Sequence, residues 1–92
     1  MSIVIIGGNE CMERKYLSIC QAHGHSAKVF TRPSVALRTA MGAPDLVIVF
    51  TSTVSHTMVR SALGALKGEK ARIERSHSAS ASALSGILAR YA

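Results

Sequence analysis

Two stretches of the chain are almost wholly apolar and do not alternate with polar residues. They are residues 2–6 and 46–50, with Val or Ile at most positions. Strands that are apolar on both sides are buried on both faces, as in a parallel sheet layered between helices. Residues 27–31 and 71–75 are partly polar or charged, which is typical of strands at the edge of a sheet. The pattern therefore predicts four strands, with the two apolar ones at the centre.

Between the strands, apolar side chains recur every three or four residues, which is the spacing of a helix with one buried face. We expect the first helix to end at Gly24, and the second to begin at Arg32-Pro33 and stop at Gly42. The serines before the last helix should cap it rather than form a disordered linker. The four predicted helices are residues 10–23, 32–41, 55–67 and 80–91.

This alternation of strands and helices predicts a single α/β domain over residues 1–92. Right-handed crossovers, with the apolar strands in the middle, favour the strand order 2-1-3-4. The expected fold is a small three-layer Rossmann-like or flavodoxin-like unit, a four-stranded parallel sheet with helices on both faces. The first and third strands are then neighbours, and a ligand crevice is expected where the chain leaves their carboxyl ends in opposite directions.

Polar residues collect where the predicted strands end, which is where open parallel sheets bind ligands. These residues are Gly7, Gly8 and Asn9 after the first strand, Arg32 after the second, Thr51, Ser52, Thr53, Ser55 and His56 after the third, and His77 and Ser78 after the fourth. One helix cap accounts for one or two of the hydroxyls after the third strand, so the surplus predicts a polar ligand.

The chemistry of this predicted site depends most on its two histidines. His56 stands near the start of a helix, where an imidazole would ligate a metal, donate to an anion, or simply lie in solvent. His77 holds the equivalent place after the fourth strand. The Gly7-Gly8 turn would either approach an anion with its amides or be a plain tight turn, and it matches neither a G-x-G-x-x-G nor a Walker loop. Neither a carboxylate pair nor a nucleophilic triad is evident, which favours binding over catalysis.

Charge and composition limit the classes of ligand and partner that we expect. The net charge of +6 and the pI of about 10.0 favour acidic ligands, but the basic residues are scattered, so nucleic acid is not the expected partner. Cys11 and Cys20 lie on one predicted helix without a C-x-x-C motif, which favours a reducing cytoplasm. No apolar run is long enough to cross a membrane. With 92 residues the core is thin, which favours a homo-oligomer.

Short motifs are spread along nearly the whole chain. They are Ile5-Ile6-Gly7-Gly8, Tyr16, Val29-Phe30-Thr31, Asp45-Leu46-Val47-Ile48, Thr53-Val54-Ser55-His56 and Arg75-Ser76-His77-Ser78. Together they resemble a bacterial family known as domain of unknown function 2325. The resemblance implies haem binding in a cytoplasmic protein, with His56 first and His77 second as the axial ligand. No Cys-x-x-Cys-His is present, so such a haem would be held without thioether links.

A porphyrin is large for a domain of this size, so its pocket would be shared between subunits. Its propionates would meet Arg14, Arg32 or Arg75, and its apolar walls would come from Met12, Met58 or Val54. The leading hypothesis is a non-enzymatic sensing module that binds haem. The alternative is a regulatory domain that binds a phosphate anion or a nucleotide through the Gly-Gly turn, the Thr/Ser-rich loop and Arg32. A third hypothesis is a structural interaction module whose crevice is empty.

Overall fold

The computed structural model describes residues 1–31, 44–54, 56–65 and 71–91. The strands are β1 (Ser2–Ile6), β2 (Ser26–Phe30), β3 (Leu46–Phe50) and β4 (Arg72–Ser76). The helices within these residues are α1 (Glu13–Ala22), α2 (His56–Ala65) and α3 (Ala81–Ala89), and a 3-10 turn at Glu10–Met12 precedes α1. The predicted helix at residues 32–41 and the predicted site residues Arg32 and Ser55 lie outside the described residues.

The strands form a parallel sheet in the order β2-β1-β3-β4, which confirms the predicted topology. β1 and β3 pair directly, with Ile5 opposite Ile48. All of β3 and all but the first residue of β1 are buried. These two strands are central because only that position covers both of their apolar faces and pairs their backbone groups on both sides.

Helices cover both faces of this sheet. One face carries Ile3, Ile5, Leu46, Ile48 and Phe50, which pack against Tyr16, Cys20, Leu84, Ile87 and Leu88 of α1 and α3. The other face carries Val4, Ile6, Val47 and Val49, with Val54 and Val59 packed against them. We call this second side the valine face. Because Val59 belongs to α2, the three-layer arrangement is confirmed.

Local signals set the ends of the elements. Asn9 accepts a hydrogen bond from the Cys11 N–H at 2.9 Å, so the helix predicted from residue 10 begins as a 3-10 turn. Gly24, with φ of +79°, ends α1, and Ser80 caps α3 by accepting from the Ala83 N–H at 3.1 Å, both as predicted. Both edge strands lie one residue from their predicted positions. Within the described residues, no helix has the length and hydropathy needed to span a membrane.

Candidate functional site

The turn after β1 is bonded to two other segments of the chain. The Gly7 N–H donates to the Phe30 carbonyl at 2.8 Å, at the end of β2. The Gly8 N–H donates to Thr53 Oγ1 at 2.7 Å, in the loop after β3. Both amides are therefore engaged within the protein, and the Gly-Gly turn joins the ends of three neighbouring strands.

The Tyr16 side chain lies next to this turn. Its ring is fully buried, and the centres of the Tyr16 and Phe50 rings are 5.3 Å apart. Its hydroxyl donates to the Ala79 carbonyl at 2.6 Å and accepts from the Asn9 N–H at 3.3 Å. A Cβ atom on Gly8 would come within 2.7 Å of the ring. In the sequence, Tyr16 stood out only as one of the family motifs, although a buried phenol needs a hydrogen-bond partner and thus predicts some such contact.

The hydroxyls after β3 are mainly bonded to backbone carbonyls. The Thr51 N–H and Oγ1 both donate to the Ser76 carbonyl, at 2.8 and 3.4 Å. Ser52 Oγ donates to the His77 carbonyl at 2.5 Å, and Thr53 Oγ1 donates to the last carbonyl of β3 at 3.2 Å. These bonds tie the loop after β3 to the end of β4. These contacts give Thr51, Ser52 and Thr53 partners within the protein, and a role for Thr51 and Thr53 in ligand binding stays a prediction.

The segment after β4 forms a chain of serine contacts that leads into α3. Ser76 Oγ donates to the Ser78 carbonyl at 2.8 Å, and Ser78 Oγ donates to Ser80 Oγ at 3.1 Å. Ser80 in turn caps the helix. His77 stands in this segment with its side chain exposed to solvent. The serines fix the backbone on either side of His77 and leave its ring accessible.

A cavity of about 310 Å³ lies at the carboxyl ends of β3 and β4. Among the described residues, its lining combines Val49, Val54 and Val59 with Thr51 and Arg75. Apolar walls beside a guanidinium suit a largely apolar ligand that carries negative charge. Val54 and Arg75 were among the residues predicted to contact a cofactor, whereas Val59 was predicted only as part of the helix at residues 55–67, without a role in binding.

The two candidate histidines belong to segments at the same edge of the sheet, as their positions after β3 and β4 predicted. The backbone of His56 begins α2, while its side chain lies outside the described atoms. His77 directly follows β4. The cavity is lined by Val54 and Arg75, and each of these stands two residues before one of the histidines.

Two further ionisable side chains lie at the opposite end of the strands from the candidate site. His25 Nδ1 is 3.1 Å from the amino nitrogen of Met1, and Asp45 accepts from the Ser2 N–H at 2.7 Å. Asp45 therefore holds the amino end of β1, away from the candidate site. Within the described residues, no group of three or more His, Cys, Asp or Glu side chains is arranged to hold a metal ion.

A parallel sheet with the order β2-β1-β3-β4 and helices on both faces defines the class of the protein, a small Rossmann-like α/β domain. Residues 2–91 match the family described as "Uncharacterized protein conserved in bacteria (DUF2325)", and the chain belongs to that family. No curated protein and no solved structure matches the chain. The family description states no activity.

Proposed function

We propose that this protein is a non-enzymatic, cytoplasmic sensing module that binds haem at the carboxyl edge of its sheet. His56 would supply the axial nitrogen, with His77 as the second candidate. Haem iron needs only one or two axial ligands from protein, so a cluster of three ligating side chains is not required. The bound group would supply an iron centre that responds to redox state or to small ligands. The protein would hold and orient it and would couple its state to a partner.

The observation that carries the proposal is the composition of the cavity. Val49, Val54 and Val59 offer apolar contact area, and Arg75 offers a cation. Haem has the same two features, because its macrocycle is apolar and its propionates are anionic. Arg75 would pair with a propionate, while the valines would exclude water from one side of the ring.

The size of the cavity limits how much of the ligand one chain can enclose. At about 310 Å³ it is at the lower end of the range for small-molecule pockets, which is roughly 300–1,000 Å³. It would therefore cover one edge of a porphyrin, and a second subunit would have to cover the rest. The proposal thus includes a homo-oligomer. The proposed cytoplasmic location is supported by Cys11 and Cys20, which are both free thiols.

Titration of the purified apoprotein with haemin tests this proposal. We expect a Soret band that saturates at a fixed ratio of haemin to protein. His56→Ala should remove it or weaken binding by more than about tenfold, which corresponds to about 1.4 kcal/mol of binding free energy. His77→Ala should have the smaller effect. His23→Ala is the matched control, because His23 is an exposed histidine at the opposite edge of the sheet. Equal binding by all three variants would contradict the assignment.

A second pair of variants tests whether the Arg75 cation contributes to haemin binding. Arg75→Gln should weaken haemin binding, and the difference from wild type should shrink at high salt because salt screens the attraction between charges. Arg14→Gln is the control, since Arg14 is exposed on α1 and does not line the cavity. If Arg14→Gln weakened binding and Arg75→Gln did not, the ligand would lie elsewhere.

The alternative function, phosphate or nucleotide binding through the Gly-Gly turn, has less support from the site. The Gly7 and Gly8 amides, which would have to face the anion, already donate to Phe30 and Thr53. An anion at this turn would have to displace those bonds. Thermal-shift measurements separate the two functions, since only a nucleotide-binding domain would be stabilised by nucleotides and not by haemin.

A further inference from the structure

β4 is the outermost strand on one side of the sheet, and it exposes apolar surface. Ile73 stands opposite Val47 in the β3 register, so its side chain is on the valine face. The side chain is 43% exposed, whereas the side chain of Val47 is fully buried. Among the described residues β4 pairs with β3 alone, and its other edge has no neighbouring strand.

The backbone of β4 also has groups that point away from the sheet. The Arg72 N–H donates to the Asp45 carbonyl at 3.0 Å, and the Ser76 carbonyl accepts from the Thr51 N–H at 2.8 Å. Successive residues of a strand direct these groups to alternate sides, so the N–H and C=O of Ile73 point outward. This is the arrangement that allows another strand to be added.

We propose that two copies of the chain associate through β4, antiparallel, with Ile73 opposite Ile73 of the second copy. The two sheets then form one continuous sheet across a two-fold axis. The outward N–H and C=O groups of the two Ile73 residues bond to each other. Their side chains meet on the valine face and cover the apolar area that a single chain exposes. This proposal concerns the chain without a cofactor and is independent of haem binding.

Charge selects this register over its neighbours. With Ile73 at the axis, Arg72 stands opposite Glu74 of the other copy, and the symmetry repeats that opposite-charge pair. If the register shifts, the axis passes through Arg72, Glu74 or Arg75. That residue would then lie opposite the same residue of the second copy, and the two like charges would repel. The charged residues of β4 therefore oppose the neighbouring registers and support one.

Contacts within one chain already hold the side chains of Glu74 and Arg72 in position. Glu74 accepts from the Tyr91 hydroxyl at 2.5 Å and from Arg90 at 3.1 Å, one bond to each carboxylate oxygen. Each oxygen still has a lone pair for a further donor. The Arg72 guanidinium lies 6.0 Å from the centre of the Tyr91 ring. Both side chains are thus ordered on the same side of β4, which lowers the entropic cost of pairing them across the interface.

Sedimentation velocity on the haem-free protein, with charge-swap variants, tests the interface. Wild type should be a dimer at tens of micromolar. Arg72→Glu should raise the dimer dissociation constant by at least about tenfold, because it places like charges opposite each other twice. The double variant Arg72→Glu with Glu74→Arg should restore the dimer. Lys28→Glu, on the other edge strand, should behave as wild type. A monomeric wild type, or a dimer that Arg72→Glu does not weaken, overturns the proposal.

Cysteine cross-linking tests the register without altering charge pairs. In a Cys11→Ser background, Ile73→Cys should form an intermolecular disulfide under mild oxidation. Directly opposite residues in such a pair have Cα atoms about 5.5 Å apart, within the disulfide range. Arg75→Cys should stay reduced, because its copies would be more than about 10 Å apart in this register. Cross-linking of Arg75→Cys in preference to Ile73→Cys overturns the register even if the charge variants fail to fold.

Discussion

The Tyr16 hydroxyl donates a hydrogen bond of 2.6 Å to the Ala79 carbonyl, and this bond joins two segments that are 63 residues apart. It connects α1 to the loop between β4 and α3. The same hydroxyl accepts from Asn9 in the turn after β1. The buried Tyr16 hydroxyl therefore links α1 to two segments next to the candidate site, the turn after β1 and the loop before α3.

Tyr16→Phe should lower the free energy of unfolding by about 1–2 kcal/mol, because it removes a buried hydrogen bond and leaves the Ala79 carbonyl without its donor. Urea denaturation followed by circular dichroism measures the change. Ser18→Ala, an exposed hydroxyl on the same helix, should change it by less than about 0.5 kcal/mol. An equal loss for both variants would show that the Tyr16 bond contributes nothing of its own.

The same substitution at two glycines should have opposite effects. Gly8 has φ of +90°, and a Cβ there would lie 2.7 Å from the Tyr16 ring, so Gly8→Ala should destabilise the protein by more than about 1–2 kcal/mol. Gly86 lies inside α3, and an added Cβ would have open space around it, so Gly86→Ala should stabilise the protein by about 0.5–1 kcal/mol. Thermal unfolding of both variants gives the comparison. A destabilising Gly86→Ala would contradict the open environment.

The two cysteines should differ sharply in reactivity. Cys11 is exposed, whereas Cys20 is fully buried and burial raises the pKa of its thiol to about 11. At pH 8 only about one Cys20 side chain in a thousand would be a thiolate, and it is shielded as well. Titration with Ellman's reagent should therefore show one fast thiol, which Cys11→Ser removes, and a second only after denaturation. Two fast thiols in the native protein would contradict the packing of α1.

Stability should fall below neutral pH because of His25. Burial lowers the pKa of this imidazole, and the positive charges of the amino terminus and of His23 lower it further. Its Nε2 is shielded from water and has no hydrogen-bond partner within the described residues. As pH falls through about 6.5, the unfolded chain takes up a proton that the folded chain resists, so unfolding becomes easier until the lower, folded-state pKa is reached.

The comparison of pH 7.5 with pH 5.5 in urea denaturation tests this expectation. Wild type should lose stability between the two values, and His25→Gln should lose less. His77→Gln, which replaces an exposed histidine, should retain the wild-type loss. An identical loss in wild type and His25→Gln would assign the pH dependence to other groups.

The fold was predictable because its strongest signals are local. Apart from Ser2, residues 2–6 and 46–50 are all apolar, most of them Val or Ile, and burial on both faces allows these strands only central positions. The edge strands carry weaker patterns, and their boundaries shifted by one residue. Ser80 was recognisable as a residue that begins a helix, because its side chain competes for backbone amides near it in sequence. Asn9 makes the same kind of contact, although it was predicted only as a residue of the turn and the site.

The site was predictable only in outline. The topology brings the turn after β1, the loop after β3 and the segment after β4 to the same end of the sheet, so the segments that meet at the candidate site follow from their positions in the chain. Bonding within the site does not follow in the same way. The contacts of Ser52 with His77 and of Tyr16 with Ala79 depend on tertiary distances that no local pattern encodes.

The absorption spectrum of the wild-type protein, purified from cells supplied with a haem precursor, tests the proposed function most directly. We predict a coloured protein with a Soret band and visible bands typical of histidine-ligated haem. A colourless protein that also takes up no haemin after purification would contradict the proposal.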